Sequence, residues 1–309
     1  MTPIQPEQHP LFRGYLTRRQ RLPGRPNAFP CRRETAPADV TPLLLSSEAD
    51  PTMAHVKNVA DKLGTPTRWI TYESVAAGSV PFPTVQEAVE ATPGIYIRHP
   101  FSESPDITVV TTCVDALTRF HRNVIRPSTV STNWSKPLHS HRLRSCRVSH
   151  ALKVVTSRIT NDPYRNSSTL CKGMSHLPTI AIRLSDAEWP RSLGPYMTQT
   201  LLSGDEFRLH VLDEKVFCCA IQKTELGVDY RSATSLHTTE AAIPSEISQC
   251  VIALSRAEGL RFSGIDIIQT QNSYYALLEV NPMPGFHCYD PHPSFPIASA
   301  LVATLSDSL

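Results

Sequence analysis

The strongest constraint in this chain lies near its end, where two apolar-rich runs flank the short polar turn Gln271-Asn272-Ser273. Phe262–Thr270 and Tyr274–Val280 alternate in character residue by residue, as strands with one buried face do. With Asn272-Ser273 taken as a two-residue tip, Asp266 falls opposite Glu279, Ile265 opposite Val280 and Ile267 opposite Leu278. One face of the hairpin is then wholly apolar and has to pack on a core. The other brings two carboxylates together, with Asn281 two residues further along the same face. Like charges directly across a sheet repel, and a divalent cation would remove that cost. Oxygen-only donors from Asp, Glu and Asn suit Mg²⁺ or Mn²⁺, with water and phosphate oxygens completing the shell. The plainer alternative is a solvated strand face whose acids stay apart or pair with lysines. The pattern alone leaves both open.

Upstream, Phe207–Leu212 and Lys215–Ile221 read as another hairpin around Asp213-Glu214. Between the hairpins, 243–260 reads as a helix with Ile247, Val251 and Leu254 on one face and Gly259 at its end. The first half of the chain has a different rhythm. Leu43-Leu44-Leu45 is a buried-strand pattern. Asp50-Pro51-Thr52 then opens a helix, with Val56, Val59, Ala60 and Leu63 on its apolar face and Gly64 stopping it. Strands follow at Trp69–Tyr72, Ile95–Ile97 and Val124-Ile125, with a helix near 110–121. Alternating strands and helices imply an α/β layer over about 41–128. The segment 129–197 is less regular, with short strand candidates at 178–183.

Residues 1–40 hold seven prolines and seven arginines against three acids. They read as a basic, flexible tail or as an arm that meets a partner. The net charge of +2 argues against a dedicated nucleic-acid binder. No apolar run is long enough to span a membrane, and no secretory signal is apparent. The eight cysteines include no CxxC pair, so they read as reduced, in a cytoplasmic protein. With 12 glycines and 27 prolines the chain has no G-x-G-x-x-G or G-x-x-x-x-G-K-[ST], which weakens Rossmann and P-loop readings.

Gly264-Ile-Asp-Ile267 followed by Leu278-Glu-Val-Asn-Pro-Met-Pro-Gly-Phe286 resembles the metal-binding end of the ATP-grasp superfamily. The spacing Asp266–Glu279–Asn281 is also that of D-alanine–D-alanine ligases. The Val-Asn-Pro-x-Pro-Gly ending is most similar to RimK-type ligases and to the peptide-modifying ATP-grasp ligases that make graspetides. The resemblance runs from about residue 41 to the end. It implies an α/β (α+β) chain with an ATP-grasp fold: an N-terminal pre-ATP-grasp α/β domain (41–128), a lid subdomain (129–197) and a C-terminal metal-binding subdomain (198–309). The two antiparallel-sheet-containing subdomains would clasp ATP.

The resemblance also implies roles. Lys136, in Asn133-Trp-Ser-Lys-Pro-Leu-His, and Lys172, in Leu170-Cys-Lys-Gly, match the nucleotide-binding lysines. Gln199-Thr-Leu201-Leu202 matches the hinge beside adenine, and Glu206 matches the acid on the ribose hydroxyls, with Asp205 as its rival. Arg208 and Arg231 match arginines near the phosphates or acyl phosphate, the rival reading for each being a structural ion pair. Asp266, Glu279 and Asn281 match the Mg²⁺ (or Mn²⁺) ligands. The loop 173–177 carries one glycine where the family has several, and Val155 stands where the family often has proline. The implied chemistry is ATP-dependent carboxylate–amine ligation through an acyl phosphate. Its partners are a carboxylate substrate and an amine acceptor, a peptide or protein among the candidates, and a homo-oligomer is compatible with it. Side-chain amide or ester formation on a peptide, phosphoryl transfer to a hydroxyl, and nucleotide binding without catalysis are the alternatives.

Overall fold

The leucine run forms strand β1 (Leu43–Ser46), buried along its whole length. The Asp50 side chain accepts a hydrogen bond from Met53 N and so caps helix α1 (Pro51–Lys62), whose first-turn proline has no amide hydrogen to satisfy. The helix stops one residue earlier than its periodicity implied. Leu63, expected on the apolar face, is the C-cap and is 53% exposed. Gly64 follows at φ +68°, a left-handed conformation that favours glycine. This computed structural model describes residues 41–100, 104–127, 152–155, 157–160, 169–172, 182–183, 196–222, 237–272, 274–290 and 296–307. All of them belong to one compact unit, Asp39–Leu309.

Strand β1 pairs in parallel with β2 (Arg68–Thr71) and β3 (Ile95–Ile97), and β3 pairs with β4 (Val124–Ile125), in the order β2-β1-β3-β4. Tyr72, expected at the end of a strand, instead opens the short helix α2 (Tyr72–Ala76), which is capped by the Thr71 side chain. A further helix, α3 (Phe82–Ala91), precedes β3, and α4 (Pro105–Thr118) begins five residues before its expected start. Parallel strands joined by helices make the expected α/β layer.

The second sheet has six strands in the order β12-β11-β10-β13-β14-β5. Its centre is β10 (Gly204–Leu212) hairpinned to β11 (Lys215–Gln222), then β13 (Phe262–Thr270) hairpinned to β14 (Tyr275–Asn281). The edges are β12 (His237–Glu240) and β5 (Leu152–Val154), and β5 runs parallel to β14. Helix α5 (Ser245–Ala257) covers one face, with Ile247, Val251 and Leu254 buried against Leu209, Val211, Ile265, Ile267, Leu277 and Val280. The third sheet, antiparallel, runs β6 (Ser157–Thr160), β9 (Tyr196–Thr200), β7 (Thr169–Lys172), β8 (Ile182–Arg183). A last helix, α6 (Pro296–Ser306), packs on α1. No helix among the described residues is long and apolar enough to cross a membrane.

The final hairpin corrects one expectation. Ile265 pairs with Val280 and Asp266 with Glu279, but Ile267 pairs with Leu277, not Leu278. The register shifts by one between Asp266 and Ile267. Thr270 N bonds to Tyr274 O, so the tip holds three residues, not two. The extra residue at the tip and the bulge at Leu278 cancel, which is why the acids still meet.

Candidate active site

The polar face of the six-stranded sheet is built in rows that cross three strands. In one row Arg208 on β10 pairs with Asp266 on β13, which pairs with Glu279 on β14. In the row beside it, two residues along each strand, His210 pairs with Gly264 and Gly264 with Asn281. Side chains two residues apart on a strand share a face. Arg208, His210, Asp266, Glu279 and Asn281 therefore look the same way, and Glu206, two residues before Arg208, joins them.

Arg208 is 4% exposed, and its Nη1 donates to both Asp266 carboxylate oxygens, at 2.8 and 2.7 Å. Its guanidinium carbon also lies 5.8 Å from the centre of the Tyr289 ring. The glycine at 264 makes this possible. A Cβ there would stand 2.7 Å from the Arg208 guanidinium carbon and 2.6 Å from Pro284 Cβ, closer than real Cβ contacts come. The absence of a side chain is thus what lets the arginine lie across the sheet to Asp266.

His210 is fully buried, stacked on Phe262 at 6.2 Å and edged by Tyr289 and Phe286 at 5.3 and 6.1 Å. Burial, and then the neighbouring Arg208 charge, push its pKa well below the ordinary histidine value, so the ring is neutral. On the far side of Gly264, the Asn281 Oδ1 accepts from Met283 N at 2.9 Å, which fixes the direction of the amide.

Among the described residues no three His, Cys, Asp or Glu side chains gather to hold a metal ion. The set here is smaller and different: two carboxylates facing each other across paired strands, and an amide oxygen on the same face. That fits a hard divalent cation of the Mg²⁺ kind, which takes one or two carboxylates and fills its other positions with water and phosphate. A carboxylate offers about four acceptor positions, so the bond from Arg208 does not by itself bar a cation from Asp266.

Four of the other expected residues, Gln199, Leu201, Leu202 and Glu206, lie along the run that joins two sheets. Gln199 is buried on β9, its backbone between Ser157 and Leu170. Leu201 and Leu202 are half-buried in the link to β10, and Glu206 is half-buried on β10 beside the polar rows. Lys172 lies on β7, its backbone opposite Met197. Lys136, Arg231 and the loop 173–177 fall outside the described residues. Sequence reading passed over His210 and the packing role of Gly264. The signal for both was the same alternation that found Asp266, read on one strand only rather than across neighbours.

Residues 198–305 match the family model described as a RimK-like ATP-grasp domain. No curated protein matches the chain. Among solved structures, the ATP-grasp ligase PsnB complexed with minimal precursor is 20% identical, with a TM-score of 0.64 over 86% of this chain and 100% of that one. The macrocyclase MdnC bound with precursor peptide MdnA, from Microcystis aeruginosa MRC, is 15% identical, with a TM-score of 0.64 over 86% and 99% of the two chains. A D-alanine–D-alanine ligase from Bacillus anthracis is 13% identical, with a TM-score of 0.58 over 88% and 97%. Identities this low establish shape rather than substrate. The chain has the ATP-grasp fold, and its residues 198–305 are similar in sequence to RimK-like ATP-grasp domains.

Proposed function

We propose that this chain is an ATP-dependent carboxylate–amine ligase that works through an acyl phosphate. The observation that carries the reading is the row Arg208–Asp266–Glu279, with Asn281 on the same face, in the stretch that matches the RimK-like ATP-grasp model. Mg²⁺ or Mn²⁺ at Asp266, Glu279 and Asn281 would offset the negative charge of the nucleotide phosphates. The link from β9 to β10 supplies the nucleotide side: Gln199, Leu201 and Leu202 beside adenine, and Glu206 to accept from the ribose hydroxyls. Lys136, Lys172 and Arg231 complete the phosphate contacts in this reading.

The substrate carboxylate oxygen attacks the γ-phosphorus of ATP and ADP leaves, giving the acyl phosphate. The amine then attacks the acyl carbon, inorganic phosphate departs and the nitrogen loses a proton, leaving an amide. Arg208, fixed in place before either step, presents positive charge where charge builds up. No protein nucleophile is needed. A reaction that consumes ATP also suits the cytoplasmic setting, in which cysteines such as Cys218 and Cys219 stay as thiols.

A second reading has its own support. PsnB and MdnC, which share this fold, were each solved with a precursor or precursor peptide. On that ground the acceptor is a peptide side chain, and the product is an amide or ester within it. The test is ADP release by the full chain with Mg²⁺ and ATP, screened across carboxylates, amines and peptides, with products weighed by mass spectrometry. A condensed product one water lighter than its parts, formed with stoichiometric ADP, supports ligation. A phosphorylated product that never condenses would mark a kinase, and nucleotide binding without turnover of any substrate would end the catalytic reading.

A further inference from the structure

We infer that Arg98, in the N-terminal α/β layer, is a positioning residue for the metal-binding end of β14. The inference rests on the metal reading above and extends it to a residue far away in sequence.

Arg98 follows directly on β3, at the carboxyl end of a parallel strand, and is 5% exposed. A guanidinium so deep needs partners on more than one side. Its Nε donates to Asp50 Oδ2 at 2.7 Å, and its Nη1 donates to the Pro284 carbonyl at 2.7 Å, with Tyr96 Oη at 3.4 Å. Asp50 is itself held, because its other oxygen caps α1 through Met53 N at 2.9 Å. The fork therefore joins the start of α1 to the segment that leaves β14. Lysine, with a single nitrogen, cannot reproduce a fork that spans two fixed acceptors.

Pro284 is placed where its position matters twice. One residue before it, Met283 donates its amide hydrogen to Asn281 Oδ1 and receives the His99 amide on its sulfur at 3.1 Å. On its other side, Pro284 Cβ packs over Gly264, in the gap that the Arg208 guanidinium also fills. A shift of the Pro284 carbonyl therefore disturbs the Asn281 amide through Met283, and the Arg208–Asp266 pair through Gly264. The segment is tied down further along, by Thr52 Oγ1 to His287 Nδ1 at 3.2 Å and His55 Nε2 to Asp290 Oδ2 at 2.9 Å. With those contacts holding its far end, a loosened Arg98 contact changes the geometry at Asn281 more than it frees the whole loop.

The experiment is a Mn²⁺ titration of the full chain in the presence of ADP, read by electron paramagnetic resonance, with thermal unfolding followed on the same samples. Arg98→Lys and Asp50→Asn are each expected to weaken Mn²⁺ binding by about tenfold, the scale of losing a residue that orients a metal ligand. ADP affinity measured in EDTA should stay within about twofold, a split that general loss of structure would not produce. Mn²⁺ affinity unchanged in both variants overturns the inference. So does loss of the cooperative unfolding transition in both, since Arg98 would then be only a stability element. Glu279→Gln separates the two readings. If it too leaves Mn²⁺ binding intact, the metal reading has failed and the role of Arg98 falls with it. If it abolishes binding while the Arg98 and Asp50 variants bind normally, only the inference drawn here is wrong.

Discussion

Single residues decide much of the chemistry at this site, and at Gly264 and His210 it is the absence of bulk or of charge that matters. Glu279→Gln keeps the shape of the strand and removes a charge, so turnover should fall on the order of 10²–10³-fold, the cost of one lost preorganised electrostatic group. The melting temperature should scarcely move, and normal ADP release by this variant would show that Glu279 holds no metal. Gly264→Ala makes the reverse point. Its methyl would stand under 3 Å from Arg208 and Pro284, and overpacking of this kind costs about 1–3 kcal/mol. Urea unfolding that shows no loss would mean that Arg208 can lie elsewhere at no cost. His210 adds a pH dependence. Its folded pKa is held well below its unfolded value of about 6.5, so below that pH the unfolded chain binds the extra proton. The contribution of His210 to stability is thus complete above about pH 6.5 and is lost as the pH falls from there toward the folded pKa, by at most about 1.4 kcal/mol per pH unit. His287, whose pKa is also lowered, tilts the curve in the same direction, so the measurement is a difference. Urea unfolding from pH 7 to pH 5 should show a shallower acid loss for His210→Phe than for the parent. Identical slopes would contradict the burial argument.

At the scale of the element, the sheet face opposite the acids makes a separate forecast. Ile267 is fully buried under α5 with Leu277 and Val280. Ile267→Ala should cost roughly 2–5 kcal/mol as a core cavity while leaving Mn²⁺ affinity unchanged at temperatures where the chain is folded. Loss of metal binding without loss of stability would mean that the two faces are assigned the wrong way round. Those faces were legible in the sequence because a period of two survives any error in the turn that is an even number of residues, and a bulge corrected the odd one. Leu278 carries no mark that separates it from Leu277, so the bulge itself could not be read. The α/β layer was legible where local rules are strong, as at Asp50-Pro51, where a cap and a proline coincide. It was less so at Tyr72, whose aromatic ring favours strands but whose neighbour Thr71 caps a helix. Helix α6 was hard to read because, although Ile297, Ala298, Leu301, Val302 and Leu305 repeat at helical spacing and are buried, its other face carries small uncharged residues such as Ser299, Ala300, Ala303 and Thr304, so the contrast between the faces is weak. Arg98 had no sequence signal at all. Asp50 and Pro284, the acceptors that tie it to other elements, lie far from it in the chain.

On the scale of the whole molecule, α1 and α6 together bind the first sheet to the second. One hydrophobic cluster takes Leu44 and Tyr96 from the parallel sheet and Leu212 and Phe262 from the six-stranded sheet. Met53, Val56 and Val59 of α1 and Leu301, Val302 and Leu305 of α6 fill the space in that same cluster. Asp290 reinforces the join: its carboxylate accepts from Ile297 N and Ala298 N at the start of α6, at 2.8 and 3.0 Å, and also meets His55 of α1. A core shared in this way makes the two sheets cooperative, because neither can open without exposing the faces of α1 and α6 that the other covers. Leu301 is fully buried within it, so Leu301→Ala should cost about 2–5 kcal/mol. The telling measurement is where that cost falls. Native-state hydrogen exchange followed by mass spectrometry should lose protection by the same free energy in β1 and β3 as in β10 and β13. Protection lost in one sheet and kept in the other would show that the N-terminal layer and the six-stranded sheet open separately. Arg98 would then bridge two units that unfold apart, and its bond to Pro284 would be expected to break whenever either unit opened.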